Sequence, residues 1–321
     1  MLIKKYIPQT FNDSKINSDV ITKLRRITKN TFMNLIFHGP NGTGKYILSL
    51  LLLREIFGKI VYNKNIYKDV LNMYHSSVHY EILLNKNSNK SSELKDIIID
   101  ISGSQNISTN FNSIVIIKNA KYLNSDILNT IKYFIEHNYP IFFILLYENI
   151  SNLPKSIHNL FLKIRVPKIN NVECFKLFKF IIDKEHVEIS DLELAKLLDT
   201  NKNNITKLLL IIDNFINKKS QYKTLDYTEQ KIEDILELVY TKKISNILKI
   251  REKLYELCAK NIEKKYILKY CLSQVLKQIE TNDKRNELVK LACDLEHKSI
   301  ASYKEILHIE YFIVALMGFI K

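Results

Sequence analysis

The fold is decided by one stretch, Leu35-Ile-Phe-His-Gly-Pro-Asn-Gly-Thr-Gly-Lys-Tyr46. The apolar run from Phe32 to Phe37 predicts a short buried strand, and the apolar pattern from Tyr46 to Phe57 predicts a helix. A glycine-rich turn between a strand and a helix is the layout of a P-loop, whose backbone N–H groups and helix N-terminus face a phosphate. The alternative is a glycine turn that joins a strand to a helix and binds nothing. The predicted phosphate-binding residues are Gly39, Pro40, Asn41, Gly42, Thr43, Gly44, Lys45 and Tyr46.

Position 46 departs from this motif. A P-loop carries Ser or Thr after its lysine, because that hydroxyl ligates Mg²⁺, and here the residue is Tyr46. A phenol is too long and too rigid to take the place of the short hydroxyl. Lys45 keeps the position from which an ammonium reaches the β- and γ-phosphates. The stretch therefore predicts nucleotide binding without hydrolysis.

The composition is that of a globular protein with a polyanionic partner. The chain has 321 residues, 46% of them hydrophobic, and a formal net charge of +14, so two or three domains are expected. Strong positive charge favours nucleic acid as a partner, although heavy use of Lys, Asn and Ile is also what AT-rich coding produces. The four cysteines have no metal-ligand spacing and predict buried free thiols. No signal peptide or membrane-spanning run is recognisable, so we expect an intracellular protein.

The rest of the chain divides into an α/β part and an all-α part. Apolar runs at Ser113–Ile117 and Pro140–Tyr147 predict buried strands of an α/β sheet with helices on both faces. After Pro167 only helical patterns remain. We predict a P-loop domain at 1–167, a three-helix domain at 168–222 and a further helical domain at 223–321. The best candidate for a linker is the polar segment Lys218–Thr224.

This order of elements resembles the small subunits of replication factor C, which are AAA+ clamp-loader proteins, over nearly the whole chain. The segments that carry the resemblance are Lys5–Pro8, Gly39–Lys45, Ser76–Ile82, Phe161–Pro167, Leu254–Leu257 and Ile309–Val314. Ser76–Ile82 and Phe161–Pro167 resemble one branch only, the small subunit whose ATP site is degenerate. The resemblance implies an AAA+ P-loop αβα domain, a three-helix lid and a C-terminal helical collar that joins subunits.

Departures from the family pattern carry the functional expectation. In hydrolysing members the Walker B strand is followed by Asp and Glu, which hold Mg²⁺ and orient the attacking water. Here the strand Ile114–Ile117 is followed by Lys118 and Asn119. The arginine-finger motif is matched by Asn159-Leu-Phe161, without an arginine. The sensor 2 arginine is matched by Thr206, and sensor 1 falls at Glu148 or Asn149. By resemblance the chain is no enzyme by itself, although the complex would be an ATPase.

The resemblance also implies ligands, partners and a location. The expected ligand is ATP or ADP, bound with weak or no Mg²⁺ dependence. The expected partners are other clamp-loader AAA+ subunits, a sliding clamp and primer–template DNA, with Lys90, Lys95 and Lys132 among the candidates for DNA contact, and no membrane. The expected location is the site of DNA replication, in the nucleus or, since AT-rich usage is compatible with a viral or parasitic genome, in a viral replication compartment.

Two other functions compete with this one. The first is an active AAA+ ATPase subunit of a clamp loader or a related DNA-replication NTPase, against which the missing acidic residues argue. The second is an initiator-type DNA-binding module, which needs a terminal winged helix. The pattern of 229–321 predicts helices without a strand hairpin.

Overall fold

The computed structural model describes residues 2–68, 73–84, 91–103, 111–187, 189–201, 204–218, 227–260, 262, 264–279, 281–302 and 305–319. The chain divides into two compact units, Met1–Ser220 and Gln221–Lys321. The predicted linker Lys218–Thr224 lies almost wholly outside the described residues.

A seven-stranded sheet forms the centre of the first unit, within the residues that the structure describes. Its strands are β1 (Leu35–His38), β2 (Asn65–Lys68), β3 (Met73–His75), β4 (His79–Leu83), β5 (Ser113–Lys118), β6 (Ile141–Tyr147) and β7 (Leu162–Arg165). They lie in the order β2-β3-β4-β5-β6-β1-β7. In this spatial order, the pairs β2–β3 and β3–β4 are antiparallel. The pairs β4–β5, β5–β6, β6–β1 and β1–β7 are parallel. The P-loop therefore leaves the carboxyl edge of the sheet from a strand that is paired on both sides.

Helices cover both faces of this sheet. The helices of the first unit are α1 (Leu2–Lys5), α2 (Ser18–Leu24), α3 (Lys45–Phe57), α4 (Ser91–Gly103), α5 (Ser125–Glu136), α6 (Lys155–His158), α7 (Asn171–Glu185), α8 (Asp191–Thr200) and α9 (Ile205–Lys218). Val115 and Ile117 of β5 pack in one core with α4 and α5, and Ile114 and Ile116 pack in another with α2 and α3. Successive side chains of a strand point to opposite faces. The predicted α/β sheet with helices on both faces is confirmed.

The helices α7, α8 and α9 share a core of their own, in which Cys174, Phe178 and Leu197 are buried. Leu2 of α1 belongs to the same core, and its backbone N–H donates to Asp213 Oδ1 at 3.0 Å. The N-terminal residues thus pack on the three-helix region although they precede the sheet in the chain. The division of this unit at residue 167 stays a prediction.

The second unit is helical in all of its described parts. Its helices are α10 (Tyr227–Tyr240), α11 (Ile247–Ala259), α12 (Lys264–Gln278), α13 (Asn282–Ala301) and α14 (Glu305–Phe319). They share an apolar core in which Leu254, Leu288 and Phe312 are buried. None of the described helices of the protein combines the length and the apolar character needed to cross a membrane.

Two local predictions need correction. The pattern of 18–29 predicts one helix, but α2 ends at Leu24, and Thr28 instead begins a 3₁₀ turn in which its backbone N–H donates to Thr31 Oγ1 at 2.9 Å. The side-chain hydroxyls compete with helix continuation there. The pattern of 59–84 predicts one or two strands, and the described residues of this segment form three. The strands β2 and β3 are too short to show a clear alternation. The cysteines are free as predicted, but only Cys174 and Cys271 are buried, whereas Cys258 is half-buried and Cys293 is exposed.

Candidate functional site

Two glycines of the P-loop are required by close contacts. A Cβ atom on Gly39 would lie 2.0 Å from the backbone oxygen of Val166, on the neighbouring strand end. Gly42 has φ of +75°, and a Cβ atom there would lie 1.9 Å from Asn204 Oδ1. The backbone N–H of Ile205 donates to Gly42 O at 3.1 Å, so the start of α9 rests directly on the loop. Side chains at these two positions would be strained or would clash.

The P-loop holds its own lysine at its mouth. Lys45 Nζ donates to Gly39 O and to Pro40 O, both at 2.6 Å, and Thr43 Oγ1 donates to Pro40 O at 2.9 Å. Burial lowers the pKa of the Lys45 ammonium, and the charge of Glu148 partly opposes this. An ammonium held by neutral carbonyls gains a stronger, charge-assisted partner when an anion enters the loop. The arrangement suits an anion ligand.

A cavity of about 480 Å³ opens beside the loop within the first unit. The N-terminal segment and α9 form one side of it, through residues such as Tyr6 and Thr206. The side formed by the carboxyl ends of the strands includes Lys118, Lys121 and Glu148. Of the predicted phosphate-binding residues, the cavity is lined by Asn41, Gly42, Gly44, Lys45 and Tyr46.

Tyr46 belongs to a buried ionic group that we call the Glu81 cluster, formed by Tyr46, Lys64, His79, Glu81 and Lys118. Glu81 lies on β4, next to β5, and only 2% of the residue is exposed. The Tyr46 hydroxyl lies 2.9 Å from both carboxylate oxygens and accepts from Lys64 Nζ at 2.6 Å. Glu81 Oε1 also pairs with Lys64 Nζ at 2.7 Å and with His79 Nε2 at 2.9 Å, and Oε2 pairs with Lys118 Nζ at 3.0 Å.

The protonation states within the cluster follow from burial and neighbouring charge. Burial alone would raise the pKa of the Glu81 carboxyl, but the hydrogen bond from His79 and the charges of Lys118 and Lys64 hold it well below its usual range. Burial lowers the pKa of His79, which is therefore neutral and accepts at Nδ1 from Ser76 Oγ at 2.8 Å. Burial and the Glu81 carboxylate raise the pKa of the Tyr46 phenol. The Glu81 cluster thus contains a carboxylate, two ammonium groups and neutral partners.

The residues at this place do not fit the Mg²⁺ ion that accompanies nucleotides in hydrolysing P-loop proteins. Mg²⁺ demands oxygen ligands in octahedral geometry. The hydroxyl that follows the P-loop lysine is committed to Glu81, and the end of β5 presents the Lys118 ammonium. Asn119, the next residue, donates from Nδ2 to Leu84 O at 3.1 Å.

The other predicted positions, those of sensor 1, the arginine finger and DNA contact, have different surroundings in the structure. Glu148 lines the cavity and pairs with Lys121 at 3.2 Å, whereas Asn149 accepts from the Ser151 backbone N–H and caps a 3₁₀ turn. Leu160, at the arginine-finger position, packs against the core. Of the candidates for DNA contact, Lys90 lies outside the described residues, Lys95 is half-buried on α4, and Lys132 on α5 pairs with Glu136 at 3.6 Å.

Sequence reasoning missed several residues of the site, among them His79 of the Glu81 cluster. Glu81 and Lys64 belong to the Glu81 cluster, and Asn17 adopts φ of 58° and donates from Nδ2 to Thr43 O at 3.1 Å behind the P-loop. A glutamate in the middle of a buried strand is a signal that could have pointed to Glu81, because such a charge needs partners. Lys64 and Asn17 lie in irregular segments, where no periodicity distinguishes them.

A glycine-rich loop at the carboxyl edge of a helix-covered sheet, followed by three helices and a separate helical unit, is the arrangement that the resemblance to AAA+ proteins predicts. Residues 230–321 match the sequence profile of the family described as replication factor C subunit 3, C-terminal domain. The predicted relationship to the small subunits of replication factor C, a clamp loader, is confirmed by this match together with relatives that cover nearly the full chain.

The relatives have low identity and high coverage. Replication factor C subunit 3 of Arabidopsis thaliana is 22% identical and covers 99% of this chain and 97% of its own length. The probable replication factor C subunit 3 of Dictyostelium discoideum is 25% identical, with coverage of 99% and 98%. The human replication factor C subunit 3 is 22% identical, with coverage of 99% and 96%. Among solved structures, a RuvB variant of Thermotoga maritima is similar with a TM-score of 0.45 and 13% identity, covering 80% of this chain and 86% of that chain.

Proposed function

We propose that this chain is a non-hydrolysing, nucleotide-binding subunit of a heteropentameric DNA clamp loader, which opens a sliding clamp and loads it onto primer–template DNA. The observation that carries the proposal is the Glu81 cluster. In a chain related to replication factor C subunits, this cluster occupies the place next to the P-loop where a hydrolysing member needs Mg²⁺ and a water-orienting acid. The chain would complete the complex while other subunits hydrolyse ATP.

The absence of hydrolysis follows from residue chemistry. Lys118 and Asn119 stand where two carboxylates are needed. The Lys118 ammonium has no lone pair for a cation, and the neutral Asn119 amide brings no negative charge and cannot orient a water as a base. Leu160 stands where an arginine finger would reach a neighbour's nucleotide, and such a finger is worth about 10³–10⁵ in rate. The chain would therefore neither hydrolyse ATP at its own site nor assist hydrolysis at the site of the adjacent subunit.

Nucleotide binding rests on the residues that are retained. Asn41, Gly42, Gly44 and Lys45 of the loop line a cavity large enough for a nucleotide, and the first turn of α3 follows directly behind them. We propose ATP or ADP as the ligand, with weak or no Mg²⁺ dependence. Residues 1–167 would form the P-loop domain, 168–222 the lid and 223–321 the collar.

The proposed partners follow from the relatives' names and from the charge of this chain. Replication factor C subunits imply other clamp-loader subunits, a sliding clamp and primer–template DNA, and a net charge of +14 suits a polyanion. The proposed location is the site of DNA replication, in the nucleus or in a viral replication compartment.

The proposal is tested by nucleotide binding to the full chain. Lys45→Ala should weaken the binding of ATP and ADP about tenfold or more, because one charge-assisted contact set is lost. The matched control is Lys59→Ala, at an exposed lysine just beyond α3, which should bind as the wild type does. Titration calorimetry gives both constants. Equal binding by wild type and Lys45→Ala would show that the loop does not hold phosphate.

The competing function is an active ATPase subunit, which the intact Gly39–Lys45 loop favours. Steady-state ATP hydrolysis distinguishes the two functions, in the isolated chain and in the assembled complex. If the isolated wild type hydrolyses ATP and the Lys45→Ala variant does not, the chain is an active ATPase subunit and the proposed function is wrong.

A further inference from the structure

The Glu81 cluster carries more positive than negative charge. Its formal charges are the Glu81 carboxylate and the ammonium groups of Lys64 and Lys118, while Tyr46 and His79 are neutral. One positive charge is therefore left over at a place that is mostly shielded from solvent. A surplus charge in such a place needs a counterion, since burying an unpaired charge is costly.

The surplus charge lies on the side of the P-loop. Lys118 lines the same cavity as Gly42, Gly44 and Lys45. Lys64 is not one of the described residues that line this cavity. The Lys118 side chain remains 22% exposed. Its Nζ is held by Glu81 Oε2 at 3.0 Å and by the face of the Tyr46 ring, 3.6 Å from the ring centroid. An ammonium has three N–H donors, so contacts of this kind leave it able to donate into the cavity.

The cluster also excludes a divalent cation. The Glu81 oxygens already accept from Tyr46, His79, Lys64 and Lys118, and a carboxylate offers about four lone-pair sites. A metal ion at Glu81 would have to displace these donors and would be repelled by both ammonium groups. The same contacts that fill the metal position hold Lys118 in a defined place.

We propose that the Lys118 ammonium takes the place of Mg²⁺ and, opposite Lys45, holds the phosphate chain of a metal-free nucleoside polyphosphate. This inference rests on the proposed nucleotide binding and adds to it the ligand's ionic form and a further binding residue. Because Mg²⁺ in solution binds the same phosphates, it competes with the site. Added Mg²⁺ should therefore weaken the apparent affinity, which is the reverse of its effect on a site that uses the metal.

The test measures ATP and ADP binding to the full chain by titration calorimetry, in EDTA and in excess Mg²⁺. Wild type should bind more tightly in EDTA than in excess Mg²⁺, and equal affinity in the two buffers would contradict competition by the metal. Lys118→Met should lose about tenfold in EDTA, because a charge-assisted contact to phosphate is removed. The matched control is Lys64→Met, which removes the same charge and also a contact to Glu81. Its nucleotide affinity should fall by at most about threefold, because Lys64 does not contact the phosphates and its charge acts on them only at a distance. Thermal unfolding of each variant separates loss of fold from loss of binding.

The outcomes separate this inference from the proposed function. Tighter binding in Mg²⁺, or equal losses in Lys118→Met and Lys64→Met, would show that the cluster is structural only, while nucleotide binding itself stands. A folded wild type that binds neither nucleotide in either buffer would overturn the proposed function, and the inference with it. A loss confined to Lys118→Met and greater in EDTA than in Mg²⁺ supports the inference.

Discussion

Glu81 is a carboxylate inside the sheet that contacts a phenol, an imidazole and two ammonium groups at once. Buried charge is stable only where partners compensate for lost hydration. Here the partners come from α3, from the segment before β2, and from β4 and β5, so Glu81 ties the P-loop helix to the strands. Tyr46 is thus a structural residue of the sheet edge, which explains how a P-loop can carry a large side chain at this position.

Replacement of Glu81 should destabilise the first unit in a pH-dependent way. Glu81→Gln leaves two buried ammonium groups without a counter-charge, and breaking a buried pair costs about 3 kcal/mol. The folded pKa of Glu81 lies below the unfolded value of about 4.3, so the stabilisation is complete above that pH and is lost as the pH falls toward the folded pKa. Urea unfolding of wild type and variant, at neutral pH and then from about pH 5 down to about pH 2, measures both the difference and its loss in acid.

The control for this prediction is Glu136→Gln, which removes a carboxylate that is 47% exposed and paired with Lys132. Its cost should stay below about 1 kcal/mol. A Glu81→Gln variant that unfolds at the same urea concentration as wild type at neutral pH would contradict the assigned role of the cluster.

The helix α14 shows how an element can be apolar on two faces for different reasons. Ile309, Phe312 and Leu316 are buried in the core of the second unit. On the other face Leu307, Tyr311 and Val314 recur at helical spacing and are 52%, 59% and 37% exposed. Glu310 pairs with Arg251 of α11 at 2.8 Å, beside these residues. Exposed apolar residues in such a row mark an interaction surface, and in the proposed collar this surface would contact a neighbouring subunit.

Tyr311→Glu should therefore disrupt assembly without unfolding the chain. Tyrosines at interface centres contribute about 2 kcal/mol or more, which corresponds to roughly thirtyfold weaker association. Surface substitutions change stability by only about 0.5 kcal/mol. Co-purification with the partner subunits and thermal unfolding measure the two effects. Val289→Glu is the control, because Val289 is a partly exposed apolar residue of a different helix, α13, and it should assemble normally. Equal assembly of both variants would argue against this surface.

The division of the chain into two compact units predicts separable tasks. Each unit has its own apolar core, so neither needs the other to bury its side chains. A chain without Gln221–Lys321 should fold cooperatively and bind nucleotide as the full chain does, yet fail to join the complex. Circular dichroism melting, calorimetry and size-exclusion chromatography with the partners test the three parts. Incorporation of the shortened chain into the complex would contradict the proposed role of the second unit.

The sequence by itself determined the parts of this protein that local pattern encodes. The run Ser113–Ile117 predicts a buried strand because its residues are apolar in succession, and Gly39–Lys45 predicts a P-loop because its turn chemistry and its flanks are continuous in the chain. The helices after Pro167 follow from apolar periodicity in the same way. Failures occurred where short elements or side-chain hydroxyls interrupt the pattern, as at Thr28 and in β2 and β3.

Only the tertiary structure decided the chemistry beside the P-loop. Tyr46, Lys64, Glu81 and Lys118 are far apart in sequence. They meet because β4 and β5 are parallel neighbours and because the Tyr46 side chain, in the first turn of α3, reaches Glu81 and Lys64. The sequence shows that Tyr46 and Lys118 are unsuited to Mg²⁺. It does not show which groups their side chains contact, because those partners are distant in the chain and no periodicity reveals them. Burial also strengthens the pairing between these charges, because charges attract strongly only where water is excluded. Burial is a property of the folded chain and cannot be read from local sequence.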